Sequence, residues 1–182
     1  QPVTRRQLYA GLYLGLTLPL VAAFVVGVAI PFALHGAGGP ALRVSLGVLL
    51  ATGAALTFVF TALAFVVAAF VDDRLRRMGT AIALWLAAAV LYDGVVLVLA
   101  MMFADYPIER ALLGLTLANP VDLARVILLL QFDVSALMGY TGAVFRQFFG
   151  GALGIAIAST ALAFWVTLPV ALGLRAFRKR DF

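Results

Sequence analysis

Apolar residues run along this chain in long unbroken stretches, and polar residues gather between them. The first stretch, from about Leu8 to Leu34, contains no charged residue. The second runs from about Leu42 to Val71, the third from about Thr80 to Ala104, and the fourth from about Phe148 to Leu174. A helix needs ~20 mostly apolar residues to cross the hydrocarbon of a bilayer. Each stretch meets that length, so the pattern predicts four transmembrane helices in a single domain over residues 1–182. The loop His35-Gly36-Ala37-Gly38-Gly39-Pro40 reads as a turn between the first two spans. The second stretch is longer than a perpendicular helix requires, which predicts tilt.

The segment from Asp105 to Gln147 mixes acids, bases and apolar residues, with no run long enough to span. Within it, Asn119-Pro120-Val121-Asp122 has the order of a helix start. Asn caps free backbone donors, Pro suits the first helical position, and an acid suits the first turn. Leu123, Val126, Ile127 and Leu130 then share one helical face, and Asp122 and Arg125 stand at pairing distance. The expectation is an outer amphipathic helical segment over about 107–139, lying on the membrane surface or dipping into it.

Composition supports a membrane protein. The 182 residues are 65% hydrophobic and 12% charged, with a mean hydropathy of +1.12. A soluble domain is nearer a quarter charged, and a chain this size cannot hide so much apolar surface within itself. The net charge of +5 does not point to nucleic acid, because the basic residues sit at the ends of the apolar runs. Arg5, Arg6, Arg74, Arg76, Arg77, Arg175, Arg178, Lys179 and Arg180 fall on one side. Arg43, Arg110, Arg125 and Arg146 fall on the other. The positive-inside rule then places both termini in the cytoplasm of a multi-pass plasma (inner) membrane protein. The chain opens on Gln1 rather than Met, and its polar start running into a span suggests a piece of a longer protein.

Asp93 is the one acid deep inside a predicted span, where charge costs at least about 2.5 kcal/mol. It reads as a proton or substrate contact, or as a structural carboxylate bonded to Tyr92 or a neighbouring helix. The second reading is preferred, because the sequence offers no second buried charge to complete a relay. His35 reads as a solvated loop residue. Met78, Met101, Met102 and Met138 do not share a helical face, and there is no cysteine, so neither a metal site nor a cofactor is expected. Gly11/Gly15 and Gly150/Gly154 have the spacing of close-packing helix pairs. No phosphate-binding loop, nucleophile turn or zinc-protease motif occurs, which argues against an enzyme. The Asp72-Asp73-Arg74-Leu75-Arg76-Arg77 run and the basic tail read as topology anchors, with a partner or anionic headgroups as further options.

Together these features resemble a known family. Gln1-Pro2-Val3-Thr4-Arg5-Arg6-Gln7-Leu8 is similar to the stretch that closes the cytoplasmic coupling segment of ABC-2 type transporter permeases. Ala83-Leu84-Trp85-Leu86 through Tyr92-Asp93 to Leu99 resembles that family's fifth span. The ending Gly173-Leu174-Arg175-Ala176-Phe177-Arg178-Lys179-Arg180-Asp181-Phe182 resembles its tail. Leu117-Ala118-Asn119-Pro120-Val121-Asp122-Leu123-Ala124-Arg125 resembles the outer segment of the NosY-type permeases. The resemblance implies the later part of a six-span fold, an ABC ATPase partner and a permease homodimer. It places the ATPase contact at Gln1, Pro2, Arg5 and Arg6. An outer contact at Asn119, Pro120, Asp122 and Arg125 would face a periplasmic copper-binding β-helix protein, in a system that matures the copper enzyme nitrous oxide reductase. A generic ABC-2 exporter and a non-transporting membrane scaffold are the alternatives.

Overall fold

The computed structural model describes residues 4–34, 39–103, 106, 108–131, 147–148 and 151–179. Gln1, Pro2, His35, Met138, Arg146, Gly150, Arg180 and the expected outer stretch 132–139 lie outside the described residues. The described residues form helices and no strand. These are α1 (Arg5–Leu34), α2 (Pro40–Phe70), α3 (Arg74–Leu86), α4 (Tyr92–Met102), α5 (Glu109–Ala118), α6 (Pro120–Gln131) and α7 (Ala152–Lys179). A π-helical turn, Ala87–Leu91, joins α3 to α4 without a break. Four helices are long and apolar enough to cross a membrane: α1, α2, the continuous Arg74–Met102 rod and α7.

Side chains set the helix ends. Thr4 and Gln7 form a capping box at α1: Gln7 Oε1 accepts from the Thr4 amide at 3.0 Å, and the Gln7 amide donates to Thr4 Oγ1 at 3.3 Å. Pro40 opens α2 at its first turn. After Phe70 the chain turns through two acids. Asp73 Oδ1 accepts from the Arg76 amide at 2.7 Å and caps α3. Arg77 donates from Nε to the Val71 carbonyl (3.1 Å) and from Nη2 to the Asp72 carbonyl (3.0 Å). The acidic–basic run is therefore a built helix corner. Its cap starts the third helix at Arg74, earlier than the expected Thr80, because hydropathy registers the apolar core of a helix and not its first basic turn.

α2 is the hub, packed against α1, α3, α6 and α7. Two cores lie along it. Near the basic end, Tyr9, Tyr13 and Ala62 are buried with Phe58, Phe65, Val170, Leu174 and Phe177 around them. Further along, Leu123, Val126, Ala158 and Leu162 are buried, with Ala55, Leu117, Ile127 and Leu130 against them. The third span has no buried residue in its apolar window. Its Ile82, Trp85, Val95 and Val98 side chains are open, as suits a helix facing lipid or another subunit.

Of the glycines the spacing singled out, Gly11 and Gly15 make no close contact among the described residues, and a Cβ at either would meet open space. A Cβ at Gly53 would strike the Phe24 ring, and one at Gly173 the Tyr9 hydroxyl. Tyr9 is 3% exposed and is hemmed in by the Tyr13, Phe65 and Phe177 rings, so it cannot swing aside. Gly173→Ala is expected to destabilise the protein by about 1–3 kcal/mol through overpacking. The Tyr9 hydroxyl is buried and has no hydrogen-bond partner among the described residues. Adding Tyr9→Phe, which deletes the clashing oxygen, should restore most of the loss. Thermal melts in detergent of the two single variants and the double variant check this, and no rescue would contradict it.

Candidate functional site

The segment Asn119-Pro120-Val121-Asp122-Leu123-Ala124-Arg125 lies inside the bundle. α5 and α6 meet at Asn119 with their axes bent by 114°, forming a helical hairpin. Its corner sits at mid-span. Asn119 Nδ2 donates to the Ala88 carbonyl at 2.7 Å, and Ala88 is the middle residue of the Arg74–Met102 rod. Trp165 Nε1, midway along α7, donates to the Leu117 carbonyl at 3.1 Å. The hairpin is therefore packed against the third span and α7 rather than standing apart from them. The cause is the stripe that begins at Leu123, which is fully buried with Val126 against α7.

A helix break at this depth exposes backbone groups that have no water to bond. The last carbonyls of α5 are the groups at risk, and side chains meet them. The Tyr92 hydroxyl donates to the Leu115 carbonyl at 2.7 Å. The Asn119 backbone N–H donates to the Thr116 carbonyl at 3.4 Å, and Trp165 serves Leu117. On the other side of the corner, Asn119 Oδ1 accepts from the Val121 amide at 2.9 Å and the Asn119 carbonyl accepts from the Leu123 amide at 3.0 Å. Pro120 brings no donor to satisfy. One asparagine thus ends α5, starts α6 and ties both to the third span. Tyr92→Phe, which strands the Leu115 carbonyl, should lower stability by about 1 kcal/mol, read as a fall in the detergent melting temperature.

A charged cluster stands beside the corner. Arg125 Nη1 pairs with Asp93 Oδ2 on α4 and reaches Asp122 Oδ1 at 3.2 Å on its own helix. The expected Asp122–Arg125 pairing is present. Asp93 is bonded to a neighbouring helix, one of the partners its structural reading names, and the second charge that the sequence did not offer is Arg125, which the hairpin carries to it. The distribution of basic residues assigns Arg125 to the outer side, and no one-dimensional signal joins positions 93 and 125. Asn119 is 3% exposed and Pro120 is buried. These two face the interior of the chain, and Asp122 and Arg125 face Asp93.

At the basic end, Arg5 Nη1 donates to the Arg178 carbonyl of α7 at 2.8 Å, while Arg6 is exposed. Thr52, in an apolar cleft between α2, α6 and α7 lined also by Val48, Ala55, Ile127 and Ile155, bonds its own Val48 carbonyl at 2.7 Å. Among the described residues no three His, Cys, Asp or Glu side chains gather as a metal set.

The chain is similar to a probable ABC transporter permease protein NosY of Pseudomonas aeruginosa. The two are 29% identical over 184 positions, covering 98% of this chain and 66% of the relative. The chain thus spans slightly less than two thirds of that relative's length. The pattern that describes ABC-2 family transporter proteins matches residues 1–182. With that match over the whole length, and with four apolar spans and a buried hairpin among the described residues, the chain belongs to the ABC-2 family of transporter proteins.

Proposed function

We propose that the chain is the later membrane-spanning part of a NosY-like permease subunit of an ABC transporter. In this reading a partner ATPase hydrolyses ATP, and the permease transmits that work toward maturation of a periplasmic copper enzyme, nitrous oxide reductase. The observation that carries the proposal is the hairpin. Its corner rests at mid-span on the third and fourth spans, so movement of either span is felt by a segment that ends on the outer side. The similarity to the NosY relative, which runs along nearly the whole chain, supports the same reading. The apolar cleft and the few polar groups along the spans favour a subunit that transmits motion over one that conducts ions.

In this reading both termini lie in the cytoplasm, where Gln1, Pro2, Arg5 and Arg6 meet the ATPase. A second permease copy completes the assembly. The outer partner, a copper-binding β-helix protein, engages the outer ends of the hairpin; Asn119, Pro120, Asp122 and Arg125, which lie at or beside its buried corner, set the hairpin's position rather than touching that partner. Hydrolysis belongs to the ATPase and not to this chain.

The test is a mild-detergent pull-down of the full-length permease from native membranes, with bound partners identified by mass spectrometry. An ABC ATPase together with a periplasmic β-helix protein is the expected result. An ATPase alone would leave a generic exporter, and recovery without any ATPase would overturn the permease reading in favour of a scaffold.

A further inference from the structure

The π turn in the third span has no cause in its own sequence. Ala87-Ala88-Ala89-Val90-Leu91 contains neither Gly nor Pro, and alanine is the strongest α-helix former. Yet the Tyr92 amide bonds the Ala87 carbonyl, five residues back. Such turns carry one extra residue and gather at functional sites. What surrounds this one is the hairpin. Asn119 holds the Ala88 carbonyl inside the turn. Tyr92, the next residue, holds Leu115 of α5. Asp93, one further on, holds Arg125 of α6. None of α3, the turn or α4 contains a buried residue, so core packing does not explain the bulge.

We propose that the α5–α6 hairpin is a latch that holds the third span in its π register. When the hairpin withdraws, the turn relaxes to α-helix. Absorbing one extra residue into α-helix turns Tyr92–Met102 relative to Arg74–Leu86 by about 100°, the angle per residue at 3.6 residues per turn. The third span is then a rotary element, with its outer part clocked by the hairpin. The link between this rotation and ATP rests on the permease reading above. The latch itself does not.

Single spin labels report the rotation. The chain contains no cysteine, so thiol labels can be placed one at a time in the full-length permease in liposomes, with any cysteine elsewhere removed. Val95, Val98 and Met101 are exposed, Val96 and Leu99 are half-buried, and Ile82 on α3 serves as reference. Oxygen accessibility is measured at each position. The first variant is Asn119→Ser, which keeps a capping oxygen for α6 and loses the Nδ2 donor, the shorter hydroxyl side chain not spanning to the Ala88 carbonyl. Without ATPase or nucleotide, it should shift the accessibility maximum over Tyr92–Met102 by about one residue, or 100°, with Ile82 unchanged.

Deleting Ala89 in the same variant removes the extra residue and should return the parent pattern. A purely structural role for Asn119 would not produce that reversal. If Asn119→Ser is not monodisperse, Asn119→Asp makes the same test. A parent pattern in the folded variant, or a shift that persists after the deletion, would overturn the latch. Adding the ATPase with a non-hydrolysable ATP analogue tests the coupling separately. The same shift in the parent protein is expected there. A latch that responds to Asn119→Ser but not to nucleotide would refute the coupling and leave the latch standing.

Discussion

Arg125→Leu should be among the most damaging single substitutions in α6, lowering stability by about 2–3 kcal/mol. The guanidinium stands between Asp93 and Asp122. Its removal leaves two carboxylates side by side with no cation, and breaking a buried pair by deleting one partner costs about 3–5 kcal/mol. The side chains of Arg125 and Asp93 are 41% and 35% exposed, so the expected loss falls below that range. The exchange Asp93→Arg with Arg125→Asp keeps one cation among two acids and should recover at least half of the loss. Asp93→Asn should be milder than Arg125→Leu, since Arg125 keeps Asp122. Thermal melts in detergent, supported by protease resistance in membranes, rank the variants. Equal losses for Arg125→Leu and the exchange would show that the position, and not the charge pairing, matters.

Leu123→Ala should cost about 3 kcal/mol, within the range for opening a cavity at a fully buried leucine. Leu123 is 0% exposed and lies with Val126 where α6 meets Ala158 and Leu162 of α7. The effect should extend beyond stability, because this contact seats the hairpin against α7. The Trp165–Leu117 bond is anchored by the same packing, so tryptophan fluorescence should shift along with the melt. The neighbouring Leu130→Ala, at a partly buried position, should cost about half as much. A Leu123→Ala protein with an unchanged melting temperature would mean that the hairpin does not rest on this core.

The spans were legible because hydrocarbon imposes a one-dimensional demand. Twenty or so apolar residues in a row answer it whatever the neighbours are. The start of α6 was legible for a similar reason, since Asn119, Pro120 and Asp122 act within a few residues of one another. The capping box Thr4–Gln7 had the same local signal and could have been found by the Thr-x-x-Gln spacing. The third span's first turn was not seen, because Arg74, Arg76 and Arg77 look like a boundary to hydropathy and belong to a helix by virtue of the Asp73 cap.

The sequence by itself determined a multi-span helical membrane protein, its basic anchors and a polar helix start between the third and last spans. Only the tertiary structure decided that this helix enters the bundle, that Arg125 reaches Asp93, and that Gly53 and Gly173, rather than Gly11 and Gly15, carry close contacts. It also decided the π turn, against the preference of an alanine-rich segment. The physical reason is range. Hydropathy, caps and propensities act over one or two helical turns, whereas a carbonyl at Leu115 or a carboxylate at Asp93 finds its partner on another helix, across a distance in sequence that no local pattern encodes.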